Sequence, residues 1–393
     1  MSDPVANRTV HRPTWAEINL DAIASNLHVV RNRVGPNVQV MAVVKANAYG
    51  HGAVACARRL QAEGADWFGV ALPEEALELR AAGISKPILC LGGFWQGQES
   101  VCLQEQLVPV VYRLDLLEMF DRAARDLGLV APVHLKVDTG MGRLGVRYDG
   151  IRDFVDRLSG FKNIRIDGLM THFAAADDPS CESLTDRQLQ RFQEAVSVLR
   201  EGGHRPTLYH LANSAAIFSQ PRSWGNMVRP GGVLYGVWRD VLATSADGQK
   251  LRPVMSLHSR ITLLKWVPAG ETIGYGCTFE ASRKTHIATL PIGYNDGYLR
   301  GLSNRAHVIV KGSFAPVVGR ISMDLTLIDV TNVQGVELGD QVTLMGDATR
   351  KGDDGRLSIS AEELARIAGT ISYEVTCGIS ERVPRKFSYL PDA

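Results

Sequence analysis

The 393-residue sequence has no apolar run approaching the roughly 20 residues that a membrane-spanning helix needs. It has no CxxC pair and no cysteine cluster. Cys56, Cys90, Cys102, Cys181, Cys277 and Cys377 lie far apart. That spacing disfavours a zinc site or a disulfide framework and predicts reduced thiols in a cytoplasm, most of them small buried filler. Charge of neither sign dominates, since 43 Lys and Arg stand against 42 Asp and Glu. Without a basic face there is no electrostatic footprint for nucleic acid or an anionic membrane. The opening "MSDPVANRTVHRP" is polar and lacks the apolar core of a signal peptide. Repeats and low-complexity tracts are also missing. What remains is an ordinary globular balance, 45% hydrophobic and 22% charged, on a chain long enough for two domains.

The two domains read differently. Between residues 15 and 235 short apolar runs alternate with helical patterns. "DAIASNLHVVRNRVG" opens with Asp21, carries Ile23, Leu27, Val30 and Val34 on one stripe, and stops at Gly35. "PEEALELRAAG" and "LDLLEMFDRAARDLG" repeat the pattern. Eight runs read as strands: "VQVMAVVK", "DWFGVA", "PILCLG", "VPVVY", "PVHLKVD", "IDGLMTH", "TLYHLA" and, most weakly, "NMVRP". Near-continuous apolar strands are buried on both faces, as in a parallel sheet. Eight such units predict an α/β fold, an N-terminal (β/α)8 TIM-like barrel over 1–250. The polar segment "VLATSADGQKLRP" reads as a linker. Residues 251–393 then read as a mostly-β C-terminal domain, with "SLHSRITLLKWV", "THIATLPIGY", "AHVIVKG", "APVVGRISMDLTLIDVT" and "DQVTLMG" as strands. One helix interrupts them, "SAEELARIAG", where Ser360 and Glu363 make a capping-box signature.

Barrels carry their chemistry at the C-terminal ends of the strands. The first strand ends on Lys45. A lysine walled by apolar neighbours loses solvation, and its amine becomes a nucleophile toward carbonyls. Taken alone, Lys45 fits better as a side chain that snorkels to water. The other strand ends shift that balance. The fifth supplies Lys136, Asp138 and Arg143, the sixth His172, the seventh His210, Asn213 and Ser214, and the eighth Arg229, Gly231 and Gly232. Ser214 opens an Ala-rich helical start, and Gly231–Gly232 allow close backbone approach, which suits an anion. Barrel phosphate sites commonly use the loops after strands seven and eight. A carbonyl-seeking lysine beside a phosphate cradle points to pyridoxal 5′-phosphate.

At this point the sequence resembles the alanine racemases, fold-type III pyridoxal-phosphate enzymes. The resemblance rests on "VVKANAYGHG", "KVDTGMGRLG", "LMTHFA", "HLANSAA", "VRPGGVLYG", "IGYGCTF", "LPIGYNDGY", "VGRISMD" and "ISYEVTCGISERVPR", in family order over nearly the whole chain. It implies that Lys45 carries the cofactor and is one acid/base, with Tyr275 the other. Tyr49, Ser214, Gly231, Gly232 and Tyr373 would surround the phosphate, Arg229 would face the pyridine nitrogen, and His172 would lie beside the cofactor. Arg143 and Met323 would contact the substrate carboxylate. Lys136, carbamylated in some members, would orient Arg143. His210 and Asp324 would support these groups from behind, and Tyr294 would shape the entry channel. The family further implies a homodimer with shared active sites, in which Tyr275 and Met323 enter the partner's barrel, and D-alanine supply for peptidoglycan.

Other readings stay open beside this one. A broad-specificity amino-acid racemase would use the same carboxylate contacts. A fold-type III decarboxylase shares the barrel but not "MGRLG" or a Tyr275 base. A single-domain cofactor carrier would not need residues 255–393. Taken singly, Tyr275 and Tyr373 read as strand aromatics, and His51 as a structural residue beginning a helix. Three positions depart from the family pattern: Gly232, Asn295 and Cys277.

Overall fold

The computed structural model describes residues 12–239, 241–242, 250–349 and 355–388. The opening segment up to residue 11 and most of the expected linker, 243–249, lie outside the described residues. Packing separates two units, with breaks at Asp21/Ala22 and Arg252/Pro253. The first strand, β1 (Thr14–Asn19), pairs antiparallel with a strand that begins at Met255 and parallel with one that begins at Arg385. It therefore belongs to the unit formed by the C-terminal residues, and a barrel counted from residue 1 over-reaches at its start. "TWAEIN" carries no local mark of partners some 240 and 370 residues away.

The barrel unit contains the eight expected strands. They are β2 (Gln39–Val43), β3 (Trp67–Val70), β4 (Ile88–Cys90), β5 (Leu107–Val111), β6 (Ala131–Asp138), then, after the short β7 (Val146–Arg147), β8 (Ile164–Met170), β9 (Leu208–His210) and β10 (Met227–Val228). All the ladders are parallel and run in the order β10-β2-β3-β4-β5-β6-β8-β9. Between β9 and β10 the closure is made by Asn226. Its side chain accepts from Tyr209 N at 2.8 Å and its own N–H donates to Tyr209 O at 3.1 Å. Met41, Leu89, Val108, Val110, Met170, Leu208 and Met227 fill the interior, so the barrel is a packed core. Each such side chain contributes about 1.5–3 kcal/mol on burial. Outside, the helix Leu20–Val34 buries Ile23, Leu27, Val30 and Val34 and ends at Gly35, which bonds Arg31 O.

The second unit is mostly β. Its main sheet runs β17-β16-β19-β11-β1-β21, with β20 on β19. Here β11 is Met255–Arg260, β16 His307–Val310, β17 Ser313–Pro316, β19 Gln341–Thr349, β20 Arg356–Ile359 and β21 Arg385–Ser388. A smaller sheet joins β12 (Leu263–Val267), β15 (Thr285–Leu290) and β18 (Thr326–Asp329), and β13 (Thr272–Ile273) pairs with β14 (Phe279–Glu280). "SLHSRITLLKWV" is thus two strands in two sheets, and "APVVGRISMDLTLIDVT" breaks where Gly319 takes φ +71°. The capped helix Ala361–Ala368 is present, with Ser360 Oγ accepting from Glu363 N. A second helix, Ser372–Gly378, replaces the strand expected around Tyr373. The left-handed Gly369 ends the first helix and lets the chain restart at once. Among the described residues no helix is long and apolar enough to cross a membrane. Cys56, Cys90 and Cys102 are buried as expected, whereas Cys277 and Cys377 are exposed.

Candidate active site

Lys45 lies two residues past the end of β2 and opens a turn whose backbone conformation the sequence does not announce. Ala46, Asn47, Ala48 and Tyr49 all have left-handed φ, at 52°, 53°, 54° and 53°. None is glycine, and such a conformation costs ~1–2 kcal/mol per residue. Strain of this kind persists only where the surroundings over-determine it. Here they do. Asn47 Oδ1 accepts from Ala53 N at 2.7 Å, and Glu75 Oε1 accepts from Ala46 N at 2.6 Å. His51 Nδ1–H lies 2.9 Å from both Ala48 O and Tyr49 O, which fixes that tautomer. His51 is therefore structural, just before the helix Ala53–Ala62. The Tyr235 ring packs 4.9 Å from Tyr49 and 4.7 Å from His51, and its hydroxyl donates to Val43 O at 2.9 Å. Glu75 and Tyr235 were not singled out from the sequence. Glu75 was hidden as a helix residue in "PEEALELR", and Tyr235 lay inside "VRPGGVLYG".

Tyr49, Ser214 and Gly231 come together at the strand ends. Ser214 Oγ accepts from Gly231 N at 2.9 Å, which leaves its O–H to donate. A Cβ on Gly231 would sit 2.6 Å from the Tyr49 hydroxyl, so a side chain there would displace it. Asn213, singled out beside Ser214, caps Ala216 N at 3.1 Å. Gly232 begins the turn Gly232–Tyr235 that carries the Tyr235 ring.

Arg229 is buried, and its guanidinium is surrounded by acceptors. Nη1 donates to His210 O (2.5 Å) and His210 Nδ1 (3.1 Å). Nη2 donates to Thr171 O (2.7 Å), Leu211 O (3.1 Å) and His172 Nδ1 (3.3 Å). Arginine offers donors only, so His210 Nδ1 must be bare and its proton sits on Nε2. That N–H then donates to His134 Nδ1 at 2.9 Å, and the His134 proton is driven to Nε2, which has no partner. Gly168 makes room, since a Cβ there would lie 2.5 Å from the His134 ring. Burial holds His210 and His172 well below the usual imidazole range, helped at His172 by Arg229 and at His210 by His134 and then Arg229. Burial above all takes His134 down to about 3 and Arg229 to about 9, so the arginine is still a cation at neutral pH.

This network fixes a pH dependence. A histidine whose folded pKa is depressed contributes stability that is complete above the ordinary value and is lost as pH falls below it. From pH 6.5 to 5 the neutral His134 should cost about 1.6 kcal/mol, and His172 and His210 act in the same direction. Urea unfolding at pH 7, 6 and 5 should therefore show a falling midpoint before the carboxylates titrate. A flat profile between pH 7 and 5 would contradict the assignment of His134, His172 and His210 as neutral.

Lys136, Asp138, Arg143 and His172 line one small pocket. Asp138 Oδ1 accepts from Gly140, Met141 and Gly142 N, each at 3.0 Å, and so shapes the loop that delivers Arg143. Burial, then Arg229 and Arg143, bring the Lys136 amine down to about 8. Arg229, Arg143 and Lys45 all act on the Lys136 amine, and the four cations together act on His172, so this end of the barrel favours an anionic ligand.

The remaining expected residues lie in the β unit. Tyr275 begins a one-turn bend, Tyr275–Cys277, between β13 and β14 and is 72% exposed, not a half-buried strand residue. A Cβ at Gly276 would approach the Arg320 guanidinium to 2.8 Å. Met323 is 52% exposed in the loop before β18. The turn 293–297 is clamped to that loop, with Tyr294 N on Ser322 O at 3.0 Å and Asn295 N on Met323 O at 3.1 Å. Asp296, fully buried, holds the turn through Gly293 N and pairs with Arg12 and Arg382. Arg382 also bonds Asp324 at 2.7 Å, which gives Asp324 a geometric role. Tyr373 is half-buried on the helix Ser372–Gly378.

Comparison with known proteins identifies the family. Residues 18–238 match the model of the alanine racemase N-terminal domain, and residues 254–387 match that of the alanine racemase C-terminal domain. An alanine racemase of Citrifermentans bemidjiense is 43% identical over 380 residues, covering 95% of this chain and 98% of its own. The crystal structure of alanine racemase from D-cycloserine-producing Streptomyces lavendulae is 37% identical. It superposes with a TM-score of 0.89 over 96% of this chain and 97% of its own. The enzyme from Bartonella henselae, solved with covalently bound pyridoxal phosphate, is 30% identical with a TM-score of 0.85, over 96% and 99%.

Proposed function

The chain belongs to the alanine racemase family of pyridoxal-phosphate-dependent isomerases, and from that premise we propose that it interconverts L- and D-alanine with Lys45 and Tyr275 as two opposed bases. One observation carries the reading. An amine on a braced turn, a hydroxyl cradle closed by a glycine, and a buried arginine converge at one end of the barrel. These residues fit the cofactor's three handles. Lys45 would hold the aldehyde carbon. Ser214 and Tyr49, with the backbone of Gly231 and Gly232 and with Tyr373, would hold the phosphate. Arg229 would face the ring nitrogen. His172 would lie beside the cofactor. Bound there, the cofactor supplies an electron sink that acidifies the amino acid's α-carbon.

The chain's own groups decide where the protons go. Inversion needs one proton removed from one face and another delivered to the opposite face. Lys45 Nζ serves one face and the Tyr275 hydroxyl the other. Arg229 donates a hydrogen bond but keeps its proton, which makes a weaker sink than an acid would and disfavours reprotonation at other carbons. Arg143 and Met323 would seat the substrate carboxylate. That contact serves any amino acid, so choice of alanine rests on pocket size, at about 1–3 kcal/mol per methylene. The exposure of Tyr275 and Met323 supports a homodimer in which each chain lends them to its partner. A monomer active at high dilution would sink that geometry. The product would be D-alanine for peptidoglycan, made in the cytoplasm.

The test is deuterium wash-in. Purified protein with pyridoxal phosphate and L-alanine in D2O should lose the α-proton signal as optical rotation decays to zero. Exchange with retained L configuration would mean that only one base works. Neither change, with cofactor bound, would shift the reading to another amino acid.

Lys136 carries a second expected outcome. An amine lowered to about 8 beside Arg143 is part neutral at physiological pH. Its neutral form can add CO2, forming an N–C bond and releasing one proton, to give a carbamate anion that would pair with Arg143. Protein in 13C-bicarbonate should show a carbamate carbon signal that Lys136→Ala removes. The same signal in the variant would reject the assignment.

A further inference from the structure

We propose that Glu75 is a positioning residue for Lys45, holding the left-handed turn on which the amine is mounted; this rests on Lys45 being the lysine that holds the cofactor. The carboxylate serves two places at once. Oε2 accepts from Ala71 N at 2.6 Å and Leu72 N at 3.2 Å, at the entry of the helix Pro73–Ala81 on which Glu75 sits. Oε1 crosses to the neighbouring strand end and accepts from Ala46 N at 2.6 Å. The first role is the local one expected of an acid in the first turn of a helix. It does not need the second oxygen.

The second contact falls on the peptide that joins Lys45 to Ala46. Fixing that N–H fixes the peptide plane and therefore the direction of the Lys45 Cα–Cβ bond. The next four residues are non-glycine and left-handed, so the turn gains by relaxing toward ordinary φ. Ala46 is exposed, and without Glu75 its N–H would be satisfied by water as well in a relaxed turn as in the present one. The charge-assisted bond removes that freedom. Glu75 thus ties the ends of β2 and β3 together at the point where the amine departs.

Glu75→Asp separates the two roles. It keeps a carboxylate able to cap its own helix but is one methylene too short to span both sites. Glu75→Gln is the second variant, because its amide offers one acceptor and turns an NH2 group toward one set of N–H donors. Three quantities are read on each protein. One is the melting midpoint. The next is the rate at which cofactor-free protein joins pyridoxal phosphate to Lys45, where Nζ and the aldehyde carbon form a double bond and one water leaves, trapped by borohydride and located by mass spectrometry. The last is kcat and KM for alanine. Positioning losses near 1 Å cost on the order of 100-fold. Glu75→Asp should therefore attach cofactor and turn over ten- to 100-fold more slowly, with KM within about twofold and the midpoint near that of wild type. Adding Ala46→Gly to Glu75→Gln, which removes the left-handed penalty at one position, should recover part of the loss. A lower midpoint with wild-type attachment rate and kcat would make Glu75 a helix cap and nothing more, leaving the racemase reading intact. Attachment of wild-type protein at a lysine other than Lys45 would instead bring down the reading on which the proposal stands.

Discussion

Tyr275→Phe should slow alanine interconversion by roughly 10²–10⁴-fold, the usual worth of a positioned acid–base group, yet leave one enantiomer exchanging its α-proton with solvent. The asymmetry follows from geometry. In the proposed arrangement each base meets the α-carbon from one face, so each removes the proton of one enantiomer and, in the reverse direction, delivers the proton that forms that same enantiomer. With the phenol gone, Lys45 can still take and return a proton on its own face, which labels that enantiomer with retained configuration. The opposite enantiomer has no base and stays unlabelled. Phenylalanine keeps the ring, and Tyr275 is 72% exposed in this chain, so the substitution should change stability by no more than about 0.5 kcal/mol. Proton NMR in D2O on each alanine enantiomer separately reads the result. Both enantiomers washing in deuterium with inversion at wild-type rates would remove Tyr275 from the chemistry.

How much of this was legible depends on whether the signal was local. The eight barrel strands were readable because strands covered on both faces must be apolar throughout, and even β10, two residues long, left its mark in "NMVRP". The candidate site residues were read off the strand ends, and their roles off the family resemblance. The left-handed turn did not, because "KANAY" contains no glycine and its conformation is held by side-chain bonds from Glu75, Asn47 and His51. The β unit was harder. "SLHSRITLLKWV" is continuous in hydrophobicity, but Ile261 N bonds Asp340 O and Thr262 N bonds Thr289 O, so the chain changes sheets between them. "ISYEV" has β-branched and aromatic residues, and it folds as helix because Glu374 and Val375 N–H groups return to Ile371 O. The sheet change and the bracing by Glu75 are decided by partners distant in sequence, and no window of ten residues contains them.

Arg229→Leu should destabilise the barrel by about 3–5 kcal/mol, the cost of breaking a buried charged network from one side. The leucine fills part of the volume but leaves His210 O, Leu211 O and Thr171 O without their donor, together with the bare nitrogens of His210 and His172. Each orphaned buried acceptor costs about 1–3 kcal/mol, partly offset because a desolvated cation is no longer present. Arg229→Lys should recover little. It restores the charge, but an ammonium presents its donors from one point, whereas the acceptors lie on both arms of a planar fork. The two variants should also differ from wild type in acid. Arg229 is among the causes holding His172 and His210 neutral, so its loss lets both imidazoles protonate at higher pH. The steep fall in stability between pH 6.5 and 5 should then become shallower in Arg229→Leu and stay closer to wild type in Arg229→Lys. Urea unfolding followed by tryptophan fluorescence at pH 7 and 5 measures all of this. An Arg229→Leu protein within about 1 kcal/mol of wild type at pH 7, with an unchanged pH slope, would mean that the guanidinium does not organise this end of the barrel. Arg229 could then matter only for contact with the cofactor ring.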